Sequence, residues 1–69
     1  MKVFFEIINH ELVEVFIPDV GFSEFTGSHA IDLMLSKMLG RYGCSLELVE
    51  LTDDLFDEML DSGQFEGYN

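Results

Sequence analysis

Carboxylate side chains dominate the chemistry available to this chain, and they cluster toward its C-terminal end. Between positions 44 and 69 there are eight acidic residues and no Lys or Arg, whereas all three basic residues fall in the first 43 positions. Carboxylates can act as general acids or bases, ligate a metal ion, or present negative charge to a basic partner. The eight residues are Glu47, Glu50, Asp53, Asp54, Asp57, Glu58, Asp61 and Glu66.

The spacing of these groups argues against metal binding and catalysis. A calcium loop needs oxygen ligands at alternating positions around a glycine, and the run from Asp53 to Glu58 lacks that pattern. His10 and His29 have no Cys or His at the spacing of a zinc site. Carboxylates exposed among other carboxylates lack the desolvated pocket that tunes a general acid. We therefore expect no enzyme activity, no catalytic residue, no metal site and no cofactor.

Five of the carboxylates fall on one predicted helix. Asp53, Asp57 and Asp61 recur four residues apart, and Asp54 and Glu58 form a second pair at the same spacing. Like charges at this spacing destabilise a helix by about 0.2–0.5 kcal/mol per pair, so the three pairs cost on the order of 1 kcal/mol. No lysine is placed among these acids to relieve the repulsion. A pattern that lowers local stability in this way favours the interpretation that the acidic surface is functional. The alternative is a solvated helix face that is acidic without function.

Composition limits the classes of function further. The chain has 69 residues, a formal net charge of -11 and 48% apolar residues, which predicts a single acidic folded domain over residues 1–69. Three cations cannot form the basic footprint that nucleic acid requires, so direct nucleic-acid binding is not expected. We find no signal peptide or membrane-length apolar run, and Cys44 is the only cysteine. We therefore expect a cytoplasmic protein, with Cys44 a small buried residue at the start of a strand.

Hydrophobic periodicity predicts an α+β fold in the order ββαβα, with a three-stranded, mainly antiparallel sheet packed by two helices. Residues 2–17 alternate as two strands joined by a short turn, and Pro18 ends the second strand. The segment 19–27 is expected to be irregular, with Phe22 and Phe25 closing one end of the core.

The second half of the chain is predicted to contribute a helix, a strand and a helix. Ser28 is expected to cap the first helix, and Gly40 or Gly43 to end it. Residues 44–51 are expected to form the third strand. A place beside the first strand would make every neighbouring pair antiparallel, and a place beside the second strand remains open. Thr52 is expected to cap the second helix and Gly63 to end it, before a flexible tail over 64–69 in which Phe65 or Tyr68 could dock.

In its small size, strong negative charge, single cysteine and cation-free second half, the chain resembles the small acidic inhibitors encoded by phages and mobile elements. That class includes anti-CRISPR proteins, anti-restriction DNA mimics and uracil-DNA glycosylase inhibitors. The resemblance implies a non-enzymatic inhibitor that evades host defence by occupying a nucleic-acid-binding groove in the bacterial cytoplasm. A CRISPR effector complex is the first partner to test. The eight carboxylates listed above would be the partner-binding residues, on a monomer or a homodimer.

Two other functions remain open at this point. A small adaptor module would bind its partner through the apolar segment around Phe22 and Phe25, with acidity serving only solubility. An antitoxin-like protein would use the same acidic surface against a basic toxin, and would differ from the inhibitor only in its partner.

Overall fold

The protein folds as a four-stranded mixed sheet with one helix on each face, so the α+β class is confirmed. The structure, a computed structural model, describes residues 1–67. The strands are ordered β3-β2-β1-β4 across the sheet, with β4 parallel to β1 and the other neighbours antiparallel. The elements in chain order are β1 Lys2–Asn9, β2 Leu12–Ile17, β3 Gly21–Thr26, α1 Ala30–Tyr42, β4 Glu47–Glu50 and α2 Asp53–Asp61.

The segment expected to be irregular forms β3, and that prediction is wrong. Pro18 ends β2 by starting a tight turn, in which the Val20 N–H donates to the Ile17 carbonyl at 3.0 Å. Asp19 has a φ of 72°, a conformation that Asp tolerates better than most residues and that a type II turn requires after its proline. The chain therefore returns antiparallel to β2, with Phe22 opposite Phe16.

The additional strand reverses the direction in which the chain reaches the far edge of the sheet. β3 runs parallel to β1, α1 carries the chain back, and β4 therefore enters parallel to β1. Lys2 lies opposite Glu47 and Phe4 opposite Val49 in this parallel pair. The expected three-stranded antiparallel arrangement is wrong for this reason.

Each face of the sheet has its own apolar core, because β1 and β2 carry apolar side chains on both faces. On the α1 side, the buried residues are Val3, Val13, Val15, Ile17, Ala30, Met34 and Met38. On the α2 side, they are Phe16, Leu51, Met59 and Phe65.

The ends of α1 differ from expectation. His29, not Ser28, occupies the N-cap position, and no side chain accepts a hydrogen bond there. Gly43 ends the helix with a φ of 56°, one of the two expected stops. A short 3₁₀ turn, Gly43–Ser45, then delays the strand to Glu47, so Cys44 is exposed rather than buried at a strand start.

The ends of α2 are as expected. Thr52 is the N-cap, and its Oγ1 accepts a hydrogen bond from the Leu55 N–H at 3.3 Å. At the other end the Gly63 N–H donates to the Leu60 carbonyl, and the Gln64 N–H to the Met59 carbonyl, which is the Schellman pattern.

The segment beyond α2 turns back onto the sheet. Phe65 is only 4% exposed, so it docks on the α2-side core, one of the two residues of the 64–69 segment for which docking was expected to be possible. Tyr68 and Asn69 lie outside the described residues.

Candidate acidic interaction surface

Helix α2 presents its acidic residues to solvent because its apolar residues hold the opposite side against the sheet. Met59 is buried and Leu55 packs beside it on the α2-side core. At 3.6 residues per turn, Asp57 then points almost directly outward. All five members of this group, which we call the helix acids, are exposed: Asp53, Asp54, Asp57, Glu58 and Asp61.

Within residues 1–67 none of the helix acids forms an ion pair, although Glu58 lines a depression together with Lys2. Within residues 1–67 the one ion pair between side chains joins Lys2 Nζ to Glu47 Oε2 at 3.9 Å. Asp53 and Asp54 lie in the first turn of α2, where the helix dipole favours negative charge. Asp61 lies in the last turn, which carries no basic residue and where the dipole disfavours a carboxylate. The repulsion expected from the sequence is therefore present and is only partly relieved.

Three other acidic residues were predicted to bind the partner, and not all of them lie on the same side of the sheet as α2. Glu47 shares its sheet face with Phe4 and Val49, on the α2 side, but it is paired with Lys2. Glu50 lies opposite Phe5 and so projects toward the α1 side. Glu66 follows α2 and lines a shallow depression with Leu60, Gly63 and Phe65. Glu66 therefore extends the acidic face of α2, whereas Glu50 does not.

Three further carboxylates on the α2 side of the sheet were not predicted. Glu6 lies directly opposite Glu14, and Glu14 directly opposite Glu24, so the three cross β1, β2 and β3 as one row. We call them the glutamate row. Directly opposed Cβ atoms are about 4.5–5.5 Å apart, and like charges at that separation are destabilising. Phe22 and Glu24 are two residues apart, so they share one face of the sheet once residues 21–26 are assigned to a strand. Without that assignment, the sequence gives no indication that Glu24 lies beside Glu14.

An apolar strip lies between the glutamate row and the helix acids. It consists of Phe22 on β3 and Phe56 and Leu60 on α2, which are 45%, 37% and 55% exposed. Phe65 joins them from below, with its ring centroid 5.4 Å from that of Phe22 and 5.0 Å from that of Phe56. Leu60 lines the same depression as Phe65.

The strip directly adjoins the glutamate row. Phe22 and Phe56 line one small pocket together with Glu6 and Glu14, and Phe22 lines another with Glu14 and Glu24. On its other side, the strip is bounded by Asp53, Asp57 and Asp61, which follow Phe56 and Leu60 around the helix. Glu58 lies on the opposite flank of α2, where it lines a depression with Lys2 and Phe4.

Charge is distributed unequally between the two sides of the sheet. Lys37 and Arg41 belong to α1, on the far side. Within residues 1–67, Lys2 is the one basic side chain on the α2 side, and Glu47 pairs with it. The α2 side therefore combines exposed apolar area with a strong excess of negative charge.

Among residues 1–67, no three His, Cys, Asp or Glu side chains come together in a way that could hold a metal ion. Neither helix in this part of the chain is long and apolar enough to cross a membrane.

Comparisons of the chain with protein-family models, curated proteins and solved structures give no match.

Proposed function

We propose that this chain is a non-enzymatic inhibitor whose acidic α2 side takes the place of DNA in the basic groove of a host defence complex. A CRISPR effector complex is the first target to test. The observation that supports the proposal most is the exposure of all five helix acids with no cationic partner within residues 1–67. A protein under selection for stability alone would gain by placing lysines among them.

The geometry of α2 suits a groove that binds a nucleic-acid backbone. Carboxylates four residues apart are separated by about 6 Å along the helix axis, from a rise of 1.5 Å per residue. Phosphates along one DNA strand are separated by about 3.4 Å of axial rise, and by more along the winding backbone. Asp53, Asp57 and Asp61 form one line of charge at this scale, and Asp54 with Glu58 forms a second beside it.

The distribution of charge indicates which side of the sheet would face the partner. The glutamate row adds three carboxylates to the side that carries the helix acids, while Lys37 and Arg41 lie on α1 across the sheet. A basic groove would therefore attract the α2 side more strongly than the α1 side. Under this proposal the protein acts in the cytoplasm of a bacterial host and binds a protein rather than nucleic acid itself.

The adaptor alternative requires Phe22 and Phe25 to form one binding surface, and their positions in β3 do not support this. Phe22 lies opposite Phe16 on the α2 side, whereas Phe25 lies opposite Val13 and packs against the α1-side core. The two rings therefore project from opposite faces of β3 and cannot form one anchor. The antitoxin alternative uses the same acidic surface, so only the identity of the partner separates it from the proposal.

The test is recovery of the partner followed by competition with DNA. Tagged protein is used to capture partners from bacterial lysate, the capture is washed with rising salt, and the released proteins are identified. The proposal predicts a nucleic-acid-binding complex that is released at moderate salt and whose DNA binding this protein then blocks in purified form. A partner that binds DNA equally well with and without this protein would contradict the proposal, and a basic toxin would favour the antitoxin alternative.

A further inference from the structure

The apolar strip of Phe22, Phe56 and Leu60 is not explained by mimicry of a phosphate backbone. Phosphates and sugars offer a DNA-binding groove few large apolar contacts, so a pure charge mimic has no need for exposed aromatic rings. Yet two Phe side chains and one Leu remain 37% to 55% exposed in the middle of the acidic side.

Two features of the strip limit the kind of partner that could bind to it. First, it is supported from beneath by the buried ring of Phe65, which also contacts Phe16. The strip is thus held by the core and is not a loose surface loop. Second, it has carboxylates on both sides, with the glutamate row across the sheet and Asp53, Asp57 and Asp61 along α2. An apolar centre with a charged rim is the usual anatomy of a protein interface.

We infer that the strip is the anchoring site for a segment of the partner protein in which an apolar side chain is flanked on both sides by Lys or Arg. The inference rests on the proposed function and deepens it, since it adds to a basic groove a specific apolar residue within that groove. Charge complementarity requires cations on both flanks, because a one-sided basic segment would leave one acidic row facing an uncharged or acidic surface.

A second copy of this chain fits the strip poorly. Each copy carries a formal net charge of -11, and pairing two strips would bring the glutamate rows and helix acids of both copies together.

The experiment compares two synthetic peptides as probes. Both are capped heptapeptides with three Lys or Arg residues on each side of the central position, which is Phe in one and Ser in the other. Binding of each to the full chain is measured by titration calorimetry at low salt. We expect the Phe peptide to bind about fivefold more tightly, which corresponds to about 1 kcal/mol.

Variants assign this preference to the strip. Leu60→Gln and Phe22→Thr each change one exposed strip residue, on α2 and on β3, and are expected to reduce the preference to less than twofold. Leu39→Gln is the matched control, because Leu39 is 56% exposed, almost the same as Leu60, but lies on α1. It should retain the full preference. Circular dichroism confirms that each variant is folded before it is titrated.

The possible outcomes separate this inference from the proposed function. Equal, salt-sensitive binding of both peptides would overturn the inference and leave the acidic surface as a binder of cations. Failure of both peptides to bind would count against the acidic surface itself, and so against both. A concentration-dependent dimer that Leu60→Gln dissociates would also overturn the inference, because a second copy would then cover the strip.

Discussion

Phe65 packs edge-on against Phe16, with the ring centroids 4.9 Å apart and the ring planes at 80°. This contact ties the segment after α2 to the centre of the sheet, and it places a buried ring beneath the apolar strip. The chain beyond α2 is thus part of the α2-side core, and the position of the strip depends on it.

Truncating this ring should destabilise the whole protein. We expect Phe65→Ala to lower the free energy of unfolding by about 3 kcal/mol, because removing a buried Phe loses apolar burial and leaves a cavity. Urea denaturation followed by circular dichroism measures the change. Leu39→Ala removes an exposed side chain and serves as control, with an expected change within about 0.5 kcal/mol. Equal midpoints for the two variants would contradict the docking of Phe65.

The two helix starts should respond differently to loss of a hydroxyl. Thr52→Ala removes the side chain that accepts the Leu55 N–H, and should cost about 1 kcal/mol of stability. Ser28→Ala should be close to neutral, because His29 occupies the N-cap of α1 and no side chain caps that helix. Thermal unfolding of both variants tests this difference, and a larger effect at Ser28 would contradict it.

The glutamate row should oppose folding. Glu14 lies opposite both Glu6 and Glu24, so Glu14→Gln removes two cross-strand repulsions and should stabilise the protein by about 0.5 kcal/mol. Glu11→Gln, in the turn between β1 and β2, is the control and should have little effect. The measurement is the urea midpoint at low salt. A destabilised Glu14→Gln variant would show that the row is not repulsive.

Added salt should stabilise the wild type. At about 1 M NaCl the screening length falls to about 3 Å, which suppresses repulsion within the glutamate row and among the helix acids. We expect the free energy of unfolding to rise by about 1 kcal/mol from low salt. The double variant Glu14→Gln with Asp57→Asn should show a smaller rise, because it begins with less repulsion. An identical salt dependence would mean that these carboxylates do not set it.

The sequence predicted α2 well because its signals are local. Thr52, the acids of the first turn and Gly63 each act within a few residues of their own position, and the structure has them in the expected roles. β3 was missed because its stability depends on pairing with β2. Its Ser23 and Glu24 have weak strand propensity, and the pairing of Phe22 with Phe16 cannot be deduced from local pattern.

Missing β3 had consequences for the candidate site as well. The direction of β4, the glutamate row and the separation of Phe22 from Phe25 all follow from the register of β3 on β2. Helical periodicity groups Leu55, Phe56, Met59 and Leu60 on one apolar face of α2 and so predicts that the helix acids are exposed. The structure packs Leu55 and Met59 on the sheet, but it leaves Phe56 and Leu60 exposed. The apolar strip depended on the docking of Phe65 and lay beyond what periodicity could predict.

If the helix acids make the functional contact, reversing the charge of two of them should abolish it. Asp57→Lys with Glu58→Lys should keep or raise stability, because it removes repulsion on α2. Glu11→Lys with Asp32→Lys makes the same change in net charge away from α2 and is the control. The assay is displacement of DNA from the purified partner complex. We predict that the α2 variant loses displacement while the control retains most of it, and full displacement by the α2 variant would contradict the claim.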